Sequence, residues 1–226
     1  PAAVLYDLGR GARFVPPVGG EWGRRACEAA TDGPVATGCV GAGAGAAAGG
    51  IKGGLGSASV LLDSGITVAA LVAANPGGSV VDPETGRPWE IAREVGGEFG
   101  AAGHRAVRLP PAPPASAGRN TTLGVVATDA ALTRVQALKV AQMAHDGLAR
   151  AVRPAHTLFD GDTIFALATC RRTLPETPGF FAAAQAQAVT DVGHAAADCV
   201  ARAIVHAVLR ATSGAGLTAF CDLPER

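Results

Sequence analysis

The stretch from Gly38 to Gly56 is too rich in glycine to be an ordinary helix. Each interior Gly costs about 1 kcal/mol against Ala in a helix, so this segment predicts loops and places where backbone comes close to backbone. Beyond Gly56 the chain changes character. Residues 57–62 and 66–73 are short apolar runs separated by Asp63-Ser64-Gly65, the pattern of two buried strands joined by a turn. The second run ends at Asn75-Pro76-Gly77-Gly78, where a helix or strand cannot continue.

Upstream, residues 4–8 predict a strand and residues 21–31 a short helix that stops at Asp32-Gly33-Pro34. Residues 83–119 have little periodicity, and 109–118 have the Pro, Ala and Gly content of an exposed linker. Residues 121–128 (TTLGVVAT) are rich in β-branched side chains and predict a buried strand. Thr133 is placed to cap a helix over 134–150, where Val135, Leu138, Ala141, His145 and Leu148 recur at helical spacing, and 163–169 returns to strand character. A last helix is expected over 181–211, from the recurrence of Val189, Val192, Ala196, Cys199, Ala203 and Ala207. Strands grouped with strands and helices long enough to cover a sheet favour an α+β layered sandwich over a regular βαβ series.

The 226 residues, 48% of them hydrophobic, suffice for one large domain. Nineteen basic and nineteen acidic residues cancel, which argues against nucleic acid or an anionic membrane as the partner and leaves a small molecule. Gly, Pro or a charge interrupts every apolar run before the roughly 18 residues of a membrane span. Five cysteines, an odd number with no CxxC pair, fit a reducing cytoplasmic setting. The sequence starts at Pro1 on residues that already read as a strand, so further sequence is expected upstream.

Gly41-Ala42-Gly43-Ala44-Gly45-Ala46, with Asp63 about 20 residues on, approximates a dinucleotide-binding fingerprint. That motif must open a helix, yet Gly49, Gly50, Gly53 and Gly54 occupy the next turns. No cofactor is expected. The glycines do not explain Lys52 in their midst, which makes it a candidate site residue. There is no GxSxG or HExxH; His104, His145, His156, His194 and His206 are scattered and read as structural or exposed. Asp160-Gly161-Asp162 is a poor calcium loop and no metal is expected, but two acids directly before an apolar strand need partners.

The stronger signal is Asn120-Thr121-Thr122, where the linker meets the strand. A peptide bond there could be cut and its old end swing away. A terminal Thr carries its own base, since an α-amine of pKa about 7.7 to 8.0 can take the hydroxyl proton near neutrality. Read alone, the same residues also fit simple turn chemistry or the Asn-x-Thr glycosylation pattern.

Together, Val4-Leu5-Tyr6-Asp7, Gly41 to Gly45 with Gly50-Ile51-Lys52-Gly53-Gly54, Ala74-Asn75-Pro76, Asn120-Thr121-Thr122 and Phe159-Asp160-Gly161-Asp162-Thr163 resemble a family of self-cleaving N-terminal-nucleophile hydrolases. It includes the DmpA aminopeptidase/esterase, β-aminopeptidases, nylon-oligomer hydrolase and the pantetheine hydrolase of thienamycin biosynthesis. The Asn-Thr-Thr and Asp-Gly-Asp-Thr forms look closer to the nylon-oligomer and pantetheine enzymes than to DmpA, whose nucleophile is Ser after Gly. The resemblance implies a four-layer αββα sandwich in which residues 1–120 form an α chain and 121–226 a β chain, one domain in all. Thr121 would be the nucleophile, Asn75 and Tyr6 oxyanion donors, Lys52 a tuner of proton transfer, and Asp160 with Asp162 would orient Lys52 or bind the substrate amine. It also implies a segment ahead of Tyr6 that this sequence lacks, and a homo-oligomer of αβ heterodimers.

The function expected is hydrolysis of an amide through a threonyl ester, without cofactor or metal. A transferase on the same fold and an uncleaved binding protein are the alternatives. The substrate stays open among D-amino-acid amides, β-peptides, aminohexanoate oligomers and pantetheine derivatives.

Overall fold

The computed structural model describes residues 3–6, 19–111, 120–176 and 184–226. The expectations for residues 7–8, for most of the linker (112–119) and for the first residues of the last helix (181–183) lie outside them. Residues 3–6 carry no strand, which corrects the expectation over 4–8.

Helix α1 (Gly20–Glu28) is followed by a short hairpin of β1 (Ala47–Ala48) and β2 (Ile51–Lys52), then by strands β3 (Gly54–Leu61) and β4 (Thr67–Ala74). A four-residue helix α2 (Gly100–Gly103) precedes β5 (Leu123–Ala130), α3 (Arg134–Ala151), β6 (Thr163–Arg172) and α4 (Ala186–Leu209). The main sheet has the order β3-β4-β5-β6. Its first three strands are antiparallel, whereas β5 and β6 are parallel and joined across α3. One βαβ unit therefore sits inside an otherwise antiparallel α+β arrangement.

The glycine run is not all loop, because β3 begins at Gly54, inside it. A Cβ on Gly56 would lie 1.9 Å from the carbonyl oxygen of Ala203, and one on Gly54 2.4 Å from that of Ala207. These glycines bring the β3 backbone against α4, a contact that no side chain permits. On α3, Gly147 does the same toward Ala197 of α4. The small residues of this chain are thus used for backbone-to-backbone packing of helix on sheet and helix on helix.

Period-two alternation sorts the sheet into two faces. Val68, Val72, Val126 and Ile164 are buried together with Val192, Cys199, Ile204 and Val208 of α4 and Val140, Ala144 and Leu148 of α3 in the core. The opposite face carries exposed Leu61, Val125 and Leu167. Among the described residues α3 and α4 thus form a helical layer on one face of the four-stranded sheet, beside the two-stranded β1–β2 sheet. Thr133 caps α3 as expected: its hydroxyl accepts from Gln136 N, while the Gln136 side chain accepts from Thr133 N. Helix α4 is long and apolar enough to cross a membrane, contrary to the reading of the apolar runs. Yet 89% of its most apolar window is buried inside the fold, as in a core helix.

On α4, Arg202 donates two hydrogen bonds to Glu98, at 2.5 and 2.8 Å, and His206 lies 3.1 Å from the same carboxylate. Burial by itself would raise the Glu98 carboxyl, but the hydrogen bonds with Arg202 and His206 outweigh it and bring the pKa down to about 2. A carboxyl that is depressed in the folded state stabilises fully above its unfolded pKa of about 4.5, and that contribution is lost as pH falls toward 2. The loss should be on the order of 2 to 3 kcal/mol. Urea unfolding at pH 7, 4.5 and 3 should show a steeper fall for the wild type than for Glu98→Gln. Equal slopes would remove this assignment.

Candidate active site

The candidate residues converge at one end of the sheet, where the ends of β4, β5 and β6 meet. Thr121 N donates to Asn75 O at 2.9 Å, which continues the β4–β5 register beyond Ala73 and Leu123. On the other side, Gly161 N donates to Asn120 O and Thr163 N to Thr122 O, both at 3.0 Å, extending the parallel β5–β6 pairing. The Asn120–Thr121 peptide is therefore held between two strand ends rather than left on a free loop. Thr121 is 9% exposed.

The Thr121 hydroxyl donates to Asn120 O, its own preceding carbonyl, at 2.6 Å. The same oxygen receives Gly161 N–H, so two donors polarise that carbonyl. Gly161 also leaves the space the hydroxyl needs, since a Cβ there would stand 2.9 Å from Thr121 Oγ1. Thr122, one residue on, points to the opposite face. It is fully buried, and its hydroxyl has no hydrogen-bond partner among the described residues.

Asn75 is a hub. Its Oδ1 accepts from Ala47 N at 3.0 Å, its Nδ2 donates to Tyr6 O at 3.3 Å, and its backbone carbonyl takes the Thr121 N–H. Ala47 pairs with Lys52 in the β1–β2 hairpin, so Asn75 joins Tyr6, the glycine loop and Thr121. The approximate dinucleotide fingerprint opens no α-helix; Gly41–Gly43 make a single 3-10 turn that leads into this hairpin.

Lys52 is 2% exposed, the largest fully buried side chain among the described residues. Its ammonium donates to the carbonyls of Gly43, Ala46 and Gly53 at 3.0 to 3.1 Å. Glycine turns leave carbonyls pointing inward as a dense set of acceptors, which explains a lysine among glycines. Its charge also reaches Cys39. Burial opposes ionisation of that thiol, but hydrogen bonding with Thr212 and the nearby Lys52 ammonium bring its pKa below the usual value.

Each of the two acids binds one backbone amide across the junction and one side chain of its own loop. Asp160 accepts from Gly77 N at 2.9 Å and from the amide and hydroxyl of Thr157. Asp162 accepts from Thr122 N at 2.8 Å and faces His156 Nδ1 at 2.8 Å. They hold the loops on either side of the junction. Sequence reasoning gave Gly161 no role beyond its motif and read His156 as structural or exposed. His156 adopts a left-handed backbone, φ 52°, which turns the chain back toward Asp162, and no spacing rule announces such a turn. Two surface grooves, one between β3 and α4 and one between α3 and α4, include none of these residues.

Comparison with known proteins bears on this constellation. An aminopeptidase of Mycobacterium tuberculosis, described as uncharacterized, is 45% identical over 99% of this chain and 66% of its own length. A 6-aminohexanoate-oligomer endohydrolase of Paenarthrobacter ureafaciens is 32% identical over 79% of this chain and 52% of its own. Among solved structures, the L-aminopeptidase D-Ala-esterase/amidase of Ochrobactrum anthropi, described as a variant of the Ntn hydrolase fold, matches with a TM-score of 0.59 at 25% identity. That match covers 89% of this chain and 52% of the other. The chain spans only about half to two thirds of the length of these relatives, and its α+β fold is of the Ntn-hydrolase type. The model of peptidase family S58 matches residues 3–220, and the chain belongs to that family.

Proposed function

We propose that this chain is the catalytic portion of an amide hydrolase that cuts itself between Asn120 and Thr121 and then uses Thr121 as its nucleophile. The observation that carries this reading is the Thr121 hydroxyl 2.6 Å from Asn120 O, on a carbonyl that also receives Gly161 N–H. In the first step Thr121 Oγ1 bonds to the Asn120 carbonyl carbon through a five-membered ring. The C–N bond then breaks, and the hydroxyl proton ends on the leaving nitrogen. Water hydrolyses the resulting ester, releasing the Asn120 carboxylate and restoring the hydroxyl. The new α-amine, with a reference pKa of about 7.7 to 8.0, serves as the base for attack on substrate.

Preorganised N–H donors on a developing oxyanion contribute about 2.7 to 4 kcal/mol each in acyl transfer. Gly161 N–H is such a donor for the self-cleavage step. For the later step the donor in this reading is the Asn75 side-chain amide, whose orientation is fixed by Ala47 N and Tyr6 O. The names of the relatives, aminopeptidase and 6-aminohexanoate-oligomer endohydrolase, support a linear amide or short peptide as substrate. Denaturing mass spectrometry of the purified full-length protein should give a fragment whose first residue is Thr121. A single intact chain after long incubation would overturn the proposal.

A further inference from the structure

The scattered histidines of the sequence are not all scattered in space. Asp162, whose side chain is 3% exposed, has two oxygens with two different partners. One oxygen accepts the N–H of Thr122 at 2.8 Å, the peptide directly after the proposed nucleophile, and the other faces His156 Nδ1 at 2.8 Å. An ionised carboxylate only accepts, so His156 Nδ1 carries the proton of this bond. The His156 side chain is 39% exposed. Its ring also meets that of His145 on α3, with centroids 5.0 Å apart. His145 is half-buried, and burial followed by the charge of His156 holds its pKa below the usual value. The titratable groups that face His156 are thus Asp162, at the start of β6, and His145, with Asp146 beyond it on α3.

We propose that His156 is a positioning residue of the reaction: through Nδ1–H it holds the Asp162 carboxylate that grips Thr122 N–H, and so fixes Thr121 against the Asn120 carbonyl. This rests on the self-cleavage reading above and deepens it. The backbone supports a dedicated role, since His156 is kept at φ 52°, a region that costs most residues energy and that only Gly, Asn, Asp and His enter with any frequency. Without the imidazole, a carboxylate this deeply buried loses one of its two partners. The Thr122 N–H is then held by a carboxylate that is anchored on one side only.

Two substitutions separate the hydrogen bond from the backbone, because both tolerate a positive φ. His156→Asn keeps an N–H donor near the position of Nδ1, whereas His156→Gly removes it. Full-length precursor made by cell-free translation and followed on denaturing gels from pH 5 to 9 reports the rate of cutting at Asn120–Thr121. Wild type and His156→Asn should cut at similar rates with similar pH profiles. His156→Gly should be slowed about tenfold or more, with the loss rescued in His156→Asn. A glycine variant with the wild-type profile would overturn the positioning role while leaving the self-cleavage reading intact. So would glycine and asparagine variants slowed equally at every pH, which would mark His156 as merely structural. A wild-type chain that never cuts would remove both.

Discussion

Replacing Thr121 with Ala should leave one uncut chain and lower turnover by at least about a thousandfold, the loss expected when an acyl-transfer nucleophile is removed. The hydroxyl that donates to Asn120 O is the group positioned to attack that carbonyl through a five-membered ring. Thr122→Val provides the contrast. Thr122 Oγ1 is buried with no hydrogen-bond partner among the described residues. Exchanging it for a methyl of similar shape removes an unsatisfied polar group and should leave stability unchanged or about 1 kcal/mol higher. The Thr122 N–H that Asp162 accepts is kept in this variant. Thr122→Val should therefore still mature, and its first β-chain residue should still be Thr121. Intact mass and amide turnover of the two variants distinguish these outcomes. Cutting at the same bond in Thr121→Ala would end the assignment.

Lys52→Met should fail in two ways at once, in stability and in cutting. The sequence marks Lys52 only as a candidate site residue among glycines, whereas the structure makes it the largest fully buried side chain among the described residues and its ammonium the donor to three loop carbonyls. Methionine fills much of the stem volume yet donates nothing, so the carbonyls of Gly43, Ala46 and Gly53 lose a donor away from water. A buried carbonyl left without a donor costs about 1 to 3 kcal/mol, offset in part because the desolvated charge is removed as well, and the melting temperature should fall by roughly 5 to 10 °C. The consequence reaches the junction because Ala47 pairs with Lys52 and donates to Asn75, which in turn accepts from Thr121 N. Loss of the charge should also raise the pKa of Cys39, slowing its alkylation by iodoacetamide at pH 7.5. Unchanged melting and alkylation together would show that Lys52 does not organise this loop.

The order of strands and helices was legible from pattern because it depends on local periodicity. The β-branched run after the linker, the apolar strand after Asp160-Gly161-Asp162 and the capped helix from Thr133 all form close to where they were expected. The family signature was legible too, since Asn120-Thr121-Thr122, Lys52 and Asn75 are distinctive residue types at turns and strand ends. The strand expected over 4–8 does not form over residues 3–6, because an apolar run becomes a strand only where a neighbouring strand pairs with it. The glycines misled in part: composition reported their helix-breaking tendency, but their use in backbone contact between β3 and α4 depends on the partner that approaches.

What tertiary structure decided is which polar groups meet. Asp160 and Asp162 are obvious acids in the sequence, yet each joins a partner from its own loop, Thr157 or His156, to one from a distant strand end, Gly77 N or Thr122 N. The same is true of Lys52, whose carbonyl acceptors depend on how the glycine loop closes. Hydrophobic periodicity carries information about which face of an element is buried, and the sequence by itself determined that much together with the residue types at the junction. Hydrogen-bond partners depend on ångström-scale register between segments far apart in the chain, so Gly161 N–H over the Asn120 carbonyl and Thr122 N–H on Asp162 exist only once the strand ends are aligned.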